Sequence, residues 1–144
     1  TYMLSATMGL NGFIAMGVPQ DWATHMIGHE ITALTGLTHG HTLVIVLPGV
    51  MDVMRQTKGS KIIQLGERVW GITEGSNSER IDATIAATEN FFRSLGLKTR
   101  LSEMGNDINL INEIVLRFKE RGTKLGENGD IDYLTTEKSL NSRL

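Results

Sequence analysis

The sequence predicts a single all-α domain, and three observations carry that prediction. Its 144 residues fit one domain and can bury a substantial core. Most of the chain divides into segments whose apolar residues recur three and four apart and which close on glycine or proline. The one stretch rich in strand formers, residues 42–54, has no second strand to pair with.

The elements follow in order. "YMLSATMGLNGFIAMG" (2–17) carries Met3, Leu4, Met8, Phe13 and Ile14 at helical spacing, with Gly17 and Pro19 closing it. Asp21 is placed to cap "WATHMIGHEITALTG", which ends near Gly36. "TLVIVLPGVMDVM" (42–54) has strand propensity at Val44, Ile45 and Val46, but in a helical chain a buried helix kinked at Pro48 is the consistent reading. "KIIQLGERVWGI" (61–72) puts Ile62, Leu65 and Val69 on one stripe. In "SNSERIDATIAATENFFRSLG", Ser76 and Glu79 form a capping box, Ile81, Ile85, Phe92 and Leu95 run down one face, and Gly96 follows. "DINLINEIVLRFKERG" repeats the pattern with Asp107 as cap, Ile111, Ile114, Val115 and Phe118 inward, and Gly122 after. Loop glycines gather in residues 122–130, and a last helix is expected from Thr135 or Thr136.

Composition excludes several functions. A net charge of −2 and aromatic content of 6%, without basic–aromatic interleaving, argue against a nucleic-acid partner. The longest apolar run, Leu43 to Met54, is interrupted by Pro48, Gly49 and Asp52 and is too short to span a membrane. The absence of cysteine removes disulfides and Cys-ligated zinc and fits a reducing, cytoplasmic setting. The chain opens on Thr1 already inside a helical pattern, so a fragment or trimmed chain is expected.

The chemistry concentrates in residues 24–42, "THMIGHEITALTGLTHGHT", which hold all 4 histidines. His25 and His29 lie four apart and face the same way on a helix, the spacing at which two imidazoles share a divalent metal, and equally that of two half-buried side chains. Glu30 turns about 100° away and cannot serve as a metalloprotease base. His39, beyond Gly36, can fold back toward the pair, and three neutral imidazoles would take Zn, Fe or Co. His41 is expected to face solvent or to support its neighbours. Trp22 and Trp70 could line a cleft beside the histidines, Trp22 being the better placed, but both are expected to pack in the core, as are Met3, Met8, Met16 and Met26, and Glu79, Arg80 and Asp82 to form a solvated face.

"GVPQDWATHMIGHEITALTGLTHGHTLVIVLP" closely resembles the second signature of the iron-containing (group III metal-dependent) alcohol dehydrogenases, nearest to the butanol dehydrogenase and NADPH-dependent aldehyde reductase branch. The similarity continues through "LGERVWGITEGSNSERIDATIAATENFFRSLGL" and "LGENGDI". The resemblance implies a two-domain dehydrogenase, of which residues 1–144 look like the C-terminal helical-bundle domain, incomplete on its N-terminal side; the dinucleotide-binding domain and its Gly-rich loop are not in this sequence.

Family ligands are an Asp and a His from one upstream helix, then two histidines that match His25 and His39. A further family histidine, near nicotinamide and substrate, matches His29. The resemblance thus separates the pair that spacing had joined. It also places Gly40 beside a ligand, where a missing Cβ would admit close backbone, and leaves His41 out.

The activity implied is reversible hydride transfer between NAD(P)H and an aldehyde or ketone, in an enzyme that is commonly a homodimer. A divalent metal (Fe2+ or Zn2+) on His25 and His39 would polarise the carbonyl, with His29 relaying the proton or simply lining the pocket. With the upstream ligands missing, the 144 residues alone are expected to be inactive. The alternative is a free-standing helical metal-binding or interaction module derived from such an enzyme; a third reading is a relative that has lost its metal.

Overall fold

The computed structural model describes residues 1–144 as seven α-helices: α1 (Tyr2–Leu10), α2 (Ala23–Thr35), α3 (His39–Val53), α4 (Arg55–Leu65), α5 (Asn77–Ser94), α6 (Ile108–Arg121) and α7 (Tyr133–Asn141). The only strand-like pairing is a single bridge between Leu125 and Ile131. The all-α expectation holds.

The strand-prone run is the central helix. Val44, Ile45, Val46, Val50 and Met51 are all buried, because α2, α4, α5 and α7 surround α3. A helix apolar on every side is stable only when enclosed in this way. Around it Ala23, Ile27 and Ile31 of α2, Ile111, Ile114 and Phe118 of α6, and Leu140 of α7 complete the main core. A smaller cluster of Met51, Ile62 and Ile81 joins α3, α4 and α5.

Pro48 lies inside α3 and removes one donor from its hydrogen-bond ladder. The adjoining turn is held from outside. Arg143, 4% exposed, donates from Nε to the Ile45 carbonyl at 3.1 Å and from Nη2 to Glu89 and to the Thr99 carbonyl, each at 2.8 Å. At Gly49 a Cβ would meet the Ser139 carbonyl oxygen at 2.7 Å, so the bare backbone is what lets α7 lie against α3.

Two caps match the sequence reading. Ser76 and Glu79 make the reciprocal capping box and Asp107 accepts from the Asn109 amide, whereas at α2 the cap position falls to Trp22 and Asp21, one residue earlier, accepts from the Ala23 amide at 2.7 Å. Asp132 caps α7, which therefore begins at Tyr133 rather than at Thr135 or Thr136.

Other expectations are corrected. The first helix ends at Leu10, and after a left-handed Gly12 (φ 82°) residues Phe13–Ala15 form one 3-10 turn. None of its residues is buried: Met3 is 81% exposed, and Leu4, Phe13, Ile14 and Met16 are exposed as well. The stripe in residues 61–72 breaks because Gly66–Trp70 is a π turn, which rotates Val69 outward while Ile62 stays buried. Leu95, at the end of α5, also faces out. The face of Glu79, Arg80 and Asp82 does more than meet solvent: Arg80 pairs with Glu67 at 3.2 Å, and Asp82 with Arg55 at 2.7 Å.

Burial pushes the Glu89 carboxyl up, but hydrogen bonds from Arg143 and Thr99 outweigh it and hold the group below the ordinary carboxylate range. Its contribution to stability is therefore complete above its unfolded pKa of about 4.5 and is lost as pH falls through the folded value. Glu89→Gln leaves the Arg143 charge buried without a counter-charge and should destabilise the protein at pH 7 by about 3 kcal/mol. Urea unfolding is expected to show the gap between parent and variant narrowing as the pH is lowered through the acid range; an equal gap at all pH values would contradict the assignment.

Candidate metal centre

The histidines come together because α2 and α3 form a tight hairpin. Gly36 ends α2 in the left-handed conformation (φ 75°), and His39 is already the first residue of α3. At the crossing sits Gly28, one turn after His25. A Cβ there would meet Thr42 Oγ1 at 2.8 Å, Leu43 Cδ2 at 3.2 Å and His39 Cε1 at 3.5 Å. This glycine is a site residue the sequence reading missed. The available signal was a glycine within a helix, which costs about 1 kcal/mol against alanine unless close packing requires it.

Three of the four imidazoles converge. His25 Nε2 and His29 Nε2 are 2.8 Å apart, and His25 Nδ1 and His39 Nε2 are 3.0 Å apart. The His29 and His39 rings stack at 4.2 Å, with His25 edge-on to both. One nitrogen from each ring can be chosen so that all three lie within 4.8 Å of one another. Nitrogens bound to one ion at about 2.1 Å lie at most about 4.2 Å apart, so slight ring rotation suffices for a common cation.

The donor chemistry fits such an ion. His25 has neighbours at both nitrogens, whereas His39 Nδ1 is buried with no hydrogen-bond partner. Burial, then the charges of His29 and His25, hold the His39 pKa below its usual 6.5, which favours the neutral imidazole that metals bind. The set is nitrogen-rich and of intermediate hardness, as borderline divalent ions prefer.

The other expected residues fall elsewhere. His41 is half-buried and hydrogen-bonds through Nε2 to the Lys98 carbonyl at 2.8 Å, away from the cluster. Glu30 is turned to α6, where it pairs with Arg121 at 2.5 Å and Arg117 at 3.6 Å. A Cβ on Gly40 would meet nothing within 4 Å, so close approach within these residues is the property of Gly28, not Gly40. Trp22 is not a core residue: it is 41% exposed and stands edge-on to His25 at 5.2 Å. Trp70 is half-buried and donates to Thr88 Oγ1 at 3.1 Å. Met3, Met16 and Met26 are exposed and Met8 half-buried, so none fills the core.

Two supports of the site were not legible as such. Asp21, just before α2, is ion-paired with Lys58, which also pairs with Glu127, tying the start of α2 to α4 and to the loop after α6. Trp22, His25, Leu43, Leu47 and Phe92 border an apolar depression beside the rings. The hollow between α4 and α5, lined by Arg55, Gln56, Ser60 and Asn77, contains no histidine.

A helical domain that brings three imidazoles this close on one α-hairpin is a candidate metal-binding domain in class. The profile of the "Fe-containing alcohol dehydrogenase family, C-terminal" matches residues 2–123, and the chain belongs to that family. It is 57% identical over 130 residues to the NADPH-dependent aldehyde reductase YqhD of Escherichia coli, covering 90% of this chain and 34% of the relative. It is 40% identical over 141 residues to NADP-dependent alcohol dehydrogenase 3 of Entamoeba histolytica, covering 98% and 35%. The crystal structure of E. coli YqhD superposes with a TM-score of 0.94 and 52% identity over 99% of this chain and 37% of its own. That of an NADH-dependent butanol dehydrogenase A from Thermotoga maritima gives 0.86 and 28%, over 97% and 37%. The chain thus spans about a third of the length of the curated relatives it matches.

Gly28→Ala should force α3 away from α2, since Thr42 is buried, β-branched and already donates to the His39 carbonyl at 2.8 Å. The expected cost is about 1–3 kcal/mol, with a matching fall in the thermal midpoint. Metal competition with a chromophoric chelator should show weakened binding in the same variant. Unchanged melting and affinity would mean that the crossing tolerates a methyl group.

Proposed function

We propose that this chain is the metal-bearing helical part of an NADPH-dependent enzyme that interconverts aldehydes and alcohols. The observation that carries the reading is the convergence of His25, His29 and His39 within 4.8 Å in a member of this family. His25 and His39 would hold the ion, with two further ligands from the preceding polypeptide. Fe2+ and Zn2+ both suit the donors, and affinity order favours zinc where both are available. A bound divalent ion supplies Lewis-acid polarisation of the carbonyl and stabilises the charge that develops on its oxygen.

This chain's residues supply position and proton. Gly28 and the α2–α3 hairpin fix the two ligand rings on one side of a cleft. His29, exposed where its partners are half-buried, faces the open side, from which it can hand a proton to the product oxygen. No glycine loop of the G-x-G-x-x-G kind occurs in the sequence, so the dinucleotide phosphates belong to the remainder of the protein, and no step is assigned to this chain there. NADPH is proposed over NADH from the YqhD and Entamoeba relatives. A cytoplasmic homodimer is the arrangement proposed for the whole protein.

Elemental analysis and steady-state kinetics of the full-length protein separate the roles. His39→Ala should lower metal content at least about tenfold and abolish turnover, because a first ligand is lost. His29→Gln should retain metal and lower kcat by about 10²–10⁴, the range of general acid–base catalysis. Metal loss in His29→Gln equal to that in His39→Ala would make His29 a ligand instead; full metal and full activity in His39→Ala would refute the reading.

A further inference from the structure

His41 is the one histidine that the triad leaves out, and it stands two residues from His39 in the first turn of α3. By local criteria that turn is weak. Thr38, at the cap position, makes no side-chain cap bond, and Gly40 is a poor helix former. Inside the turn, the His41 and Thr42 amides donate to the Thr38 carbonyl at 2.9 and 3.1 Å, and Thr42 Oγ1 donates to the His39 carbonyl at 2.8 Å. A helix end of this kind opens at low cost. Yet it carries a ring that must stay in register with His25.

The bond from His41 Nε2 to the Lys98 carbonyl, 2.8 Å long, is the only hydrogen bond that joins this turn to an element other than α2. Its acceptor lies 57 positions further along the chain, in the segment between α5 and α6. That segment is firmly held. Glu103 accepts from the Thr99 and Arg100 amides, each at 2.9 Å, and pairs with Arg93 at 3.0 Å. Thr99 is fully buried and donates to Glu89 at 2.6 Å, while the Leu101 amide donates to the Arg143 carbonyl at 2.7 Å. The Lys98 carbonyl is therefore a fixed acceptor, set next to the same ionic network that braces the far half of α3.

We propose that His41 is a positioning residue for the metal ligand His39. By donating to the Lys98 carbonyl it ties the first turn of α3 to the α5–α6 segment, and so keeps the His39 ring at the distance from His25 that a shared ion requires. The inference rests on the reading of His25 and His39 as ligands given above. It gives the fourth histidine a role that needs contact with neither metal nor substrate: what counts is an N–H of the right reach.

The test measures Zn2+ affinity of the full-length protein by competition with a chromophoric chelator, well below the thermal midpoint, where modest losses of stability leave the folded fraction unchanged. His41→Leu, similar in bulk but without a donor, should weaken binding by about tenfold, as loss of groups that orient metal ligands does. His41→Gln, whose amide offers an N–H at comparable reach, should restore most of that affinity. Glu103→Ala, which loosens the acceptor end of the bond, should weaken binding in the same direction. Combined with His41→Leu it should add little, because both changes act through one contact. With Co2+ in place of Zn2+, the visible absorption of the bound ion should change in His41→Leu and return toward the parent spectrum in His41→Gln.

Parental affinity in His41→Leu overturns the tether. Equal losses in the leucine and glutamine variants overturn it as well, since they would trace the effect to the shape of the imidazole and not to its donor. Additive losses in the double variant do the same. If His41→Leu does not fold, Glu103→Ala decides, and parental affinity there is the overturning result. A parent protein that binds no Zn2+ overturns the reading of the metal centre itself; one that binds Zn2+ no better than its variants overturns the tether alone.

Discussion

Everything that this chain can do chemically depends on how closely α2 and α3 approach at Gly28. The crossing is set by the absence of one methyl group: Thr42 Oγ1 lies 2.8 Å from where it would stand. Three consequences follow from that contact. The hairpin can turn through Gly36 with only two further residues before α3 starts. The His39 ring reaches His25 at 3.0 Å and stacks on His29. The leucine stripe of α3 is brought beside Trp22. Chemistry and packing are thus two results of the same interhelical distance, and interiors this dense transmit a sub-ångström change rather than absorb it.

The far half of α3 is held by a different device. Pro48 interrupts the helical ladder, and the neighbouring carbonyl of Ile45 is met by Arg143 from the chain's last turn. Arg143 is itself neutralised by Glu89 of α5, which also faces Arg100 at 3.4 Å and Arg93 at 3.6 Å. A buried guanidinium of this kind adds little net stability over a well-packed apolar group, because desolvation offsets its attraction. What it adds is direction. Its donors are satisfied at Ile45, Thr99 and Glu89 together, an arrangement that few other packings of α3, α5 and the C-terminus could reproduce.

Much of this was legible from residues alone, and the exceptions share a cause. Ser76–Glu79, Asp107 and the glycines after α5 and α6 marked their helix ends because capping is a local interaction. Val44 to Val46 read as helix only by considering the whole chain, and the structure agrees because enclosure, not propensity, decides a fully buried segment. The failures lie where an apolar pattern was assumed to name its own partner. Met3, Leu4, Phe13 and Ile14 have helical spacing yet stay exposed, and Trp22 and Met26 are apolar but exposed as well. Periodicity tells that a face is suited to burial; it does not tell against what. The π turn at Gly66–Trp70 was likewise invisible; it starts at Gly66, where Thr84 packs so closely that an added Cβ would stand 2.0 Å from its Oγ1.

The histidines show how two conflicting readings of a sequence can be reconciled by counting. Spacing joins His25 with His29; the family resemblance joins His25 with His39 and sets His29 apart. Geometry alone admits either pairing, because His29 and His39 both come within 3.0 Å of a His25 nitrogen. The deciding quantity is how many other donors reach the ion. With this chain alone, three imidazoles and a solvent molecule complete a four-coordinate shell, and His29 is needed. With an aspartate and a histidine added from preceding residues, His25 and His39 already complete it, and a fifth protein ligand would crowd out the substrate oxygen. His29, the exposed member of the triad, is then the ring with least to hold it on the metal and most freedom to serve the bound substrate. On the proposed reading, the role of His29 would be set by ligands outside this sequence, and a pattern within it cannot separate a ligand from a proton donor.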